Sequence, residues 1–160
     1  MIDPTDTLAV TIGPALEHDL PDILRLLRAN AVGARADAES EDPAPYVAAF
    51  RRMKAGGTTT LHVVRCEGEA GAIAGSFELT VIEGLSFQGR PRAQVESVHV
   101  MPEFRRLGIG RAIMRFAEAR AREAGCVLLQ LTSNRAREGS HAFYTALGYD
   151  ASHIGYKRML

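Results

Sequence analysis

Between Glu96 and Arg115 the chain reads ESVHVMPEFRRLGIGRAIMR, which gathers carboxylates, an imidazole, arginines and two closely spaced glycines. Its centre is Arg105-Arg106-Leu107-Gly108-Ile109-Gly110, followed by Arg111. Glycines at 108 and 110 let a backbone approach a ligand with no Cβ in the way. If a helix opens at Ile109, its first turn presents unpaired N–H groups and the positive end of its dipole, a setting for phosphate or pyrophosphate. Arg105, Arg106 and Arg111 would add charge-assisted donors there. A dinucleotide fingerprint would need glycine where Ile113 stands, and a P-loop would need Gly-Lys-Ser/Thr, which is lacking. A plain glycine turn before a surface helix with solvated arginines stays open on these six residues alone.

Just upstream, Glu96, Val98 and Val100 share one parity and so, on an unbroken strand, one face, with His99 on the other. A carboxylate among Val and Ser on an interior strand is costly unless it is paired or functional, so Glu96 is the candidate general base; a salt bridge to a nearby Arg is the competing reading. No His pair has metal-ligand spacing on a helix, and no metal is expected.

These residues need elements to hold them. LAVTI (8–12) alternates like a strand, and HDLPDILRLLRAN (18–30) carries a helical apolar stripe. Residues 34–44 read as a loop containing Asp37, Glu39, Glu41 and Asp42, an acidic run that would attract a cationic amine or simply be solvated. A helix is expected over 45–54, stopped by Gly56-Gly57, and strands over 61–66 and 72–82 with the turn EGEAG between them. A loop over 83–92 bears Arg90 and Arg92, able to hold an anionic group on an acceptor. The strand carrying Glu96 spans about 93–101. A long amphipathic helix follows over 109–124, with Gly125 suited to its left-handed end. Residues 126–132 are almost wholly apolar, the pattern of a strand covered on both faces. A helix over 139–147 ends at Gly148, and 149–160 should supply one or two closing strands.

An Arg-x-x-Gly-x-Gly after a Val-rich strand, then helix, short apolar strand and helix, resembles the GNAT superfamily of N-acetyltransferases. Downstream, Asn134 closes the strand LLQLTS, and Phe143-Tyr144-x-x-Leu147-Gly148-Tyr149 is similar to that superfamily's FYxxLGF segment. The resemblance implies a mixed α/β fold with a central, twisted, partly antiparallel sheet flanked by helices, as one domain over residues 1–160. It implies acetyl-CoA as co-substrate and an acetyl group moved to a primary amine. The main chain at Val98, His99 and Val100 would bond the pantetheine arm, and an N–H near Val100 would face the thioester oxygen. The amides from Arg106 through Leu107, Gly108, Ile109 and Gly110 to Arg111 would hold the pyrophosphate, and Asn134 would contact the coenzyme. Tyr144 would be the acid for the departing thiolate, since a phenol titrating near ~10 stays protonated at neutral pH. The tail from Thr132 is also similar to aminoalkylphosphonate N-acetyltransferases, with His141 before the Phe-Tyr pair and Ser152-His153 after it. The alternatives are a non-catalytic acyl-CoA-binding or regulatory module and a protein or peptide N-acetyltransferase.

Bulk properties narrow the partners. Nineteen Lys+Arg balance nineteen Asp+Glu, whereas a nucleic-acid binder usually carries a basic excess. No apolar run approaches the ~18–20 residues that span a bilayer, and the polar start is unlike a secretory signal. A cytoplasmic protein is expected. Its partners would be acetyl-CoA and a small-molecule amine, with neither nucleic acid nor membrane, and a homodimer is compatible. Cys66 and Cys126 lie in apolar stretches without Cys-x-x-Cys spacing and read as two buried, reduced thiols.

Overall fold

The computed structural model describes residues 9–31, 39–67 and 71–160. The elements follow in the order β1 (Val10–Pro14), α1 (Leu20–Asn30), α2 (Ala44–Gly56), β2 (Thr59–Cys66), β3 (Ile73–Ile82), β4 (Arg92–Val100), α3 (Ile109–Glu123), β5 (Leu129–Leu131) and α4 (Glu138–Ala146). The sheet runs β1-β2-β3-β4-β5, and its first four strands pair antiparallel with their neighbours. β5 runs parallel to β4: Val127 N–H donates to Pro91 C=O, Ala93 N–H to Leu128 C=O, and the Gln130 amide to the Gln94 amide oxygen, with both chains ascending together. The mixed α/β sheet expected from the sequence is therefore present.

The chain divides into two compact units, one ending at Gln130 and one from Leu131 to Leu160. In the first, register fixes what each sheet face carries. His62 lies opposite Phe77, so their rings share a face; they stack at 4.8 Å, and Phe116 of α3 packs edge-on against both. The opposite face carries Val63, Ile73 and Met101 against Leu20, Ile23 and Leu26 of α1 and Phe50 of α2. Such burial stabilises at roughly 25 cal/mol per Å² of apolar surface. Asp19, only 2% exposed, ties the start of α1 to the sheet: it accepts from Leu16 N–H at 2.8 Å and from the Arg65 guanidinium at 2.6 Å.

Several boundaries move from their sequence expectations. The first strand is Val10–Pro14, and Leu8 lies outside the described residues, as do 68–70 of the EGEAG turn. α2 runs further than expected, to Gly56, because Gly57 at φ 70° is the residue that terminates it. Gly125, at φ 73°, ends α3 as its type suggests. β5 is shorter than 126–132 and its residues are half-exposed, because it is the last strand of the sheet and has one neighbour instead of two. In the second unit α4 ends at Ala146, and Gly148 just beyond it, at φ 89°, donates its N–H to Thr145 C=O at 2.9 Å. The closing strands expected over 149–160 are not formed: residues 150–160 have no regular secondary structure and are exposed. Extended propensity alone makes no strand without a ladder partner.

Candidate functional site

β4 is paired with β3 at Ser76–His99 and again at Glu78–Glu96, so two residues, Ser97 and Val98, stand against Phe77 alone. This is a β-bulge, and Ser97 sits at φ 51°, left-handed for a residue with a Cβ. The bulge resets parity. Glu96 and His99 fall on one face, and Val100, opposite Gly75, falls on the face that packs against α3. The expectation that Glu96, Val98 and Val100 share a face, with His99 opposite, is thus corrected: a strand with an inserted residue does not alternate through the insertion. β3 and β4 are close here. A Cβ on Gly75 would lie 2.8 Å from the His99 carbonyl oxygen and in contact with Ile109 and Ile113.

Glu96 is exposed, which removes the desolvation cost inferred for it. Among the described residues no ion pair involves it. Directly opposite is Glu78, half-buried, and beyond it Thr80 faces Gln94. The alternation Phe77-Glu78-Leu79-Thr80-Val81 was the signal for this polar face, and Glu78 went unremarked in the sequence. Arg92 opens β4 rather than lying in the preceding loop, and its register places it on the same face as Gln94 and Glu96. Arg90 reaches the Gly125 carbonyl at 3.5 Å. His99 is buried.

After β4, Pro102–Phe104 makes a short 3-10 turn. Arg106 takes a left-handed φ of 65° and Gly108, the N-cap of α3, one of 81°. Ala112 N–H to Gly108 C=O, 3.0 Å, is the first bond of the α3 ladder, so the N–H groups of Ile109, Gly110 and Arg111 precede it. Gly108, as the N-cap, offers no side-chain cap, and among the described residues no side-chain hydrogen bond reaches them. Arg106 and Arg111 are exposed, Leu107 is half-buried and Ile109 is buried under the sheet. The set fits a pyrophosphate in its chemistry: bare helix N–H groups, a glycine cap and two exposed guanidinium groups. Arg105 is engaged elsewhere, donating to Asn30 Oδ1 at 2.9 Å and to Val100 C=O at 3.4 Å. It ties the end of α1 to the end of β4.

Of the acidic run, Asp37 lies outside the described residues. Glu39 accepts from the Tyr46 hydroxyl at 2.8 Å, and Asp42 accepts from Ala44 N–H at 2.9 Å at the start of α2. Glu41 is exposed.

In the second unit, Asn134 folds a local turn. Its side-chain oxygen accepts from Ala136 N–H and its carbonyl from Arg137 N–H, each at 2.9 Å. The same carbonyl lies 2.9 Å from His141 Nε2, which must therefore carry the proton. Tyr144 is half-buried between Phe143 and Tyr149, with ring centroids 5.1 and 6.1 Å away. Burial pushes its phenol above the ordinary value of 10, against an opposing pull from Arg137. Cys66 is buried, whereas Cys126 is half-exposed; burial first, then Glu83, raise the Cys126 thiol, the opposite of what a nucleophilic thiolate needs. Among the described residues, no group of three or more His, Cys, Asp or Glu is placed to hold a metal ion, and no helix is long and apolar enough to cross a membrane.

Residues 20–149 match the Acetyltransferase (GNAT) family, a span that contains the bulged strand, the glycine cap and Tyr144. The chain belongs to this family. An aminoalkylphosphonate N-acetyltransferase from Salmonella typhimurium is 34% identical over 67 residues, a match spanning 42% of this chain and 44% of that relative. The structure of a transcriptional regulator from Bacillus halodurans superposes with a TM-score of 0.87 at 35% identity, over 95% of this chain and 100% of that one. A Trypanosoma brucei acetyltransferase shares the fold, with a TM-score of 0.78 at 24% identity, over 95% of this chain and all of that one. GNAT membership carries acetyl-CoA as the family's co-substrate.

Proposed function

We propose that this chain is an acetyl-CoA-dependent N-acetyltransferase acting on the primary amine of a small molecule, as one domain across residues 1–160. The observation that carries the reading is the family match over residues 20–149, because it includes the uncapped first turn of α3 behind Gly108. In this reading the N–H groups of α3 and the arginines beside them, Arg106 and Arg111, hold the coenzyme pyrophosphate. The β4 main chain from Val98 to Val100 takes the pantetheine arm, and Asn134 supplies a further coenzyme contact. A main-chain N–H near Val100 polarises the thioester carbonyl. Glu96 accepts the proton from the ammonium or through water, and the free amine forms the C–N bond. The C–S bond then breaks, Tyr144 gives its phenolic proton to the leaving thiolate, and the surplus proton on the newly bonded nitrogen passes through water to the Tyr144 phenolate.

An aminoalkylphosphonate is the acceptor class best supported. It is the substrate class named for the Salmonella relative, and Arg92 and Glu96 offer a cation and a carboxylate on one face of β4. The test is thiol release from acetyl-CoA with a panel of aminoalkylphosphonates, polyamines and amino acids. Turnover selective for the phosphonates is expected, and turnover with the other amines alone would replace that acceptor. A second reading has its own support, since one of the relatives that align over their whole length, the Bacillus halodurans protein at 35% identity, is a transcriptional regulator. That reading predicts coenzyme binding with no thiol release from any amine.

A further inference from the structure

Ahead of its bulge β4 alternates cleanly, so Arg92, Gln94 and Glu96 stand in line on one face, opposite Ile82, Thr80 and Glu78 of β3. At one end Glu96 faces Glu78, and like charges set directly opposite destabilise a sheet unless a cation lies between them. The middle row is neutral and bonded within itself. The Gln130 amide donates to Gln94 Oε1 at 2.7 Å, and the Thr59 and Thr80 hydroxyls lie 2.9 Å apart. At the other end stands Arg92, half-buried and, among the described residues, in no ion pair. Its guanidinium leans away from Glu96: Nη1 lies 3.4 Å from where a Cβ on Gly84 would stand, and Gly84 follows Ile82 in the direction leading away from Glu78.

We infer that this face of β4 gauges the length of the acceptor. It takes a zwitterion with its primary ammonium at the Glu96–Glu78 row and its anionic group at Arg92, two or three carbons apart. It discriminates against amines whose anionic group sits on the same carbon. The inference rests on the acetyl-transfer reading of Glu96 and adds the spacing between the acceptor's two charges. That spacing follows from the strand. Four residues of rise set the Arg92 and Glu96 Cα atoms about 13 Å apart. With Glu96 leaning inward by about 2 Å, the charged heads stay on the order of 11–13 Å apart. Charge-assisted hydrogen bonds of about 2.8 Å at each end, and the oxygen shell of a phosphonate, leave on the order of 4–6 Å between nitrogen and phosphorus. One carbon between those atoms spans under about 3 Å, whereas two or three carbons span about 4–5 Å. The neutral middle row offers no third charge, so both anchors lie at the ends. Held in this way, the ammonium lies toward Val100, where that reading puts the thioester, and the anionic group is kept away from it.

The test is calorimetric titration of the whole chain, loaded with coenzyme A so that nothing turns over. The probes are aminoalkylphosphonates with the amine one, two, three or four carbons from phosphorus. The two- and three-carbon members should bind at least about tenfold more tightly than the one-carbon member. Arg92→Gln should weaken their binding and level the series to within about threefold, while its affinity for coenzyme A, the check on folding, matches the wild type. Simple alkylamines of the same lengths, which lack the anionic group, should show no such optimum in the wild type, a comparison that needs no variant. A wild-type phosphonate series that is flat, absent or led by the one-carbon member overturns the inference. So does an optimum that survives in Arg92→Gln or appears with the alkylamines. Thiol release from acetyl-CoA is then followed with the same phosphonates. The expected binding optimum without thiol release would sink the transferase reading and leave the gauge in place.

Discussion

Glu96 illustrates how a residue can be picked out for one reason and retained for another. The sequence singled it out as a carboxylate buried on an interior strand, whereas the structure leaves it exposed, opposite Glu78 and without an ion pair among the described residues. An accessible carboxylate can still accept a proton from an incoming ammonium, directly or through water. Glu96→Gln keeps shape and polarity, so its expected effect is a lower kcat/KM with the acidic limb of the pH profile displaced or abolished. Superimposable profiles for the two proteins would assign the limb to the amine substrate itself. For Tyr144, burial holds the phenol protonated across the neutral range, so it can donate to a thiolate whose own acid titrates near ~8.5. Tyr144→Phe should then lower kcat by ~10²–10⁴-fold with little change in KM for acetyl-CoA, measured where chemistry limits the rate. Retention of most turnover would reduce Tyr144 to a packing role between Phe143 and Tyr149.

At the scale of elements, the glycine loop and the order of strands and helices were legible because glycine and apolar periodicity act locally. Arg-x-x-Gly-x-Gly located the start of α3 at Ile109, where it lies. The bulge at Ser97 was not legible: no glycine marks it, and a serine at φ 51° is held there by pairing across β3. Missing it reversed the faces of Val100 and His99 relative to Glu96. The role of Arg105 was hidden for a similar reason, since its partner Asn30 is distant in sequence. The closing strands failed because a strand is a property of two segments. Gly75 tests the bulge directly. Gly75→Ala would set a Cβ 2.8 Å from the His99 carbonyl, a backbone atom that cannot swing aside. A loss of about 1–3 kcal/mol in urea unfolding is expected, as for other overpacked cores, and an unchanged midpoint would show that β3 and β4 separate freely there. Gly110 tests the α3 turn instead. Gly110→Val should severely weaken acetyl-CoA binding by calorimetry while melting stays near normal, and unchanged affinity would remove the pyrophosphate from that turn.

Stability of the whole molecule should decline on acidification, because two buried groups on different faces of the sheet titrate in the same sense. His62 lies between Phe77 and Phe116 with Nδ1 3.1 Å from the Thr60 carbonyl. Burial, chiefly, holds its imidazole below the ordinary 6.5. The unfolded chain therefore binds a proton at a pH where the folded chain does not. The contribution of neutral His62 is complete above 6.5 and is lost as pH falls from there toward the depressed folded value. Asp19 follows at lower pH. Its burial disfavours the carboxylate, but the bonds from Arg65 and Leu16 outweigh that and leave it below the ordinary 3.8. Its stabilisation is present above 3.8 and disappears as pH falls through the folded value. The melting temperature, followed downward from neutral pH, should thus fall in two stages. His62→Gln should remove the first stage and leave the second, at some cost in stability from the lost ring stacking. Asp19→Asn should remove the second stage and leave the first, while lowering stability at neutral pH because Arg65 loses its charged partner. A first stage that survives in His62→Gln would move the titration to another imidazole, away from the aromatic cluster beneath α3.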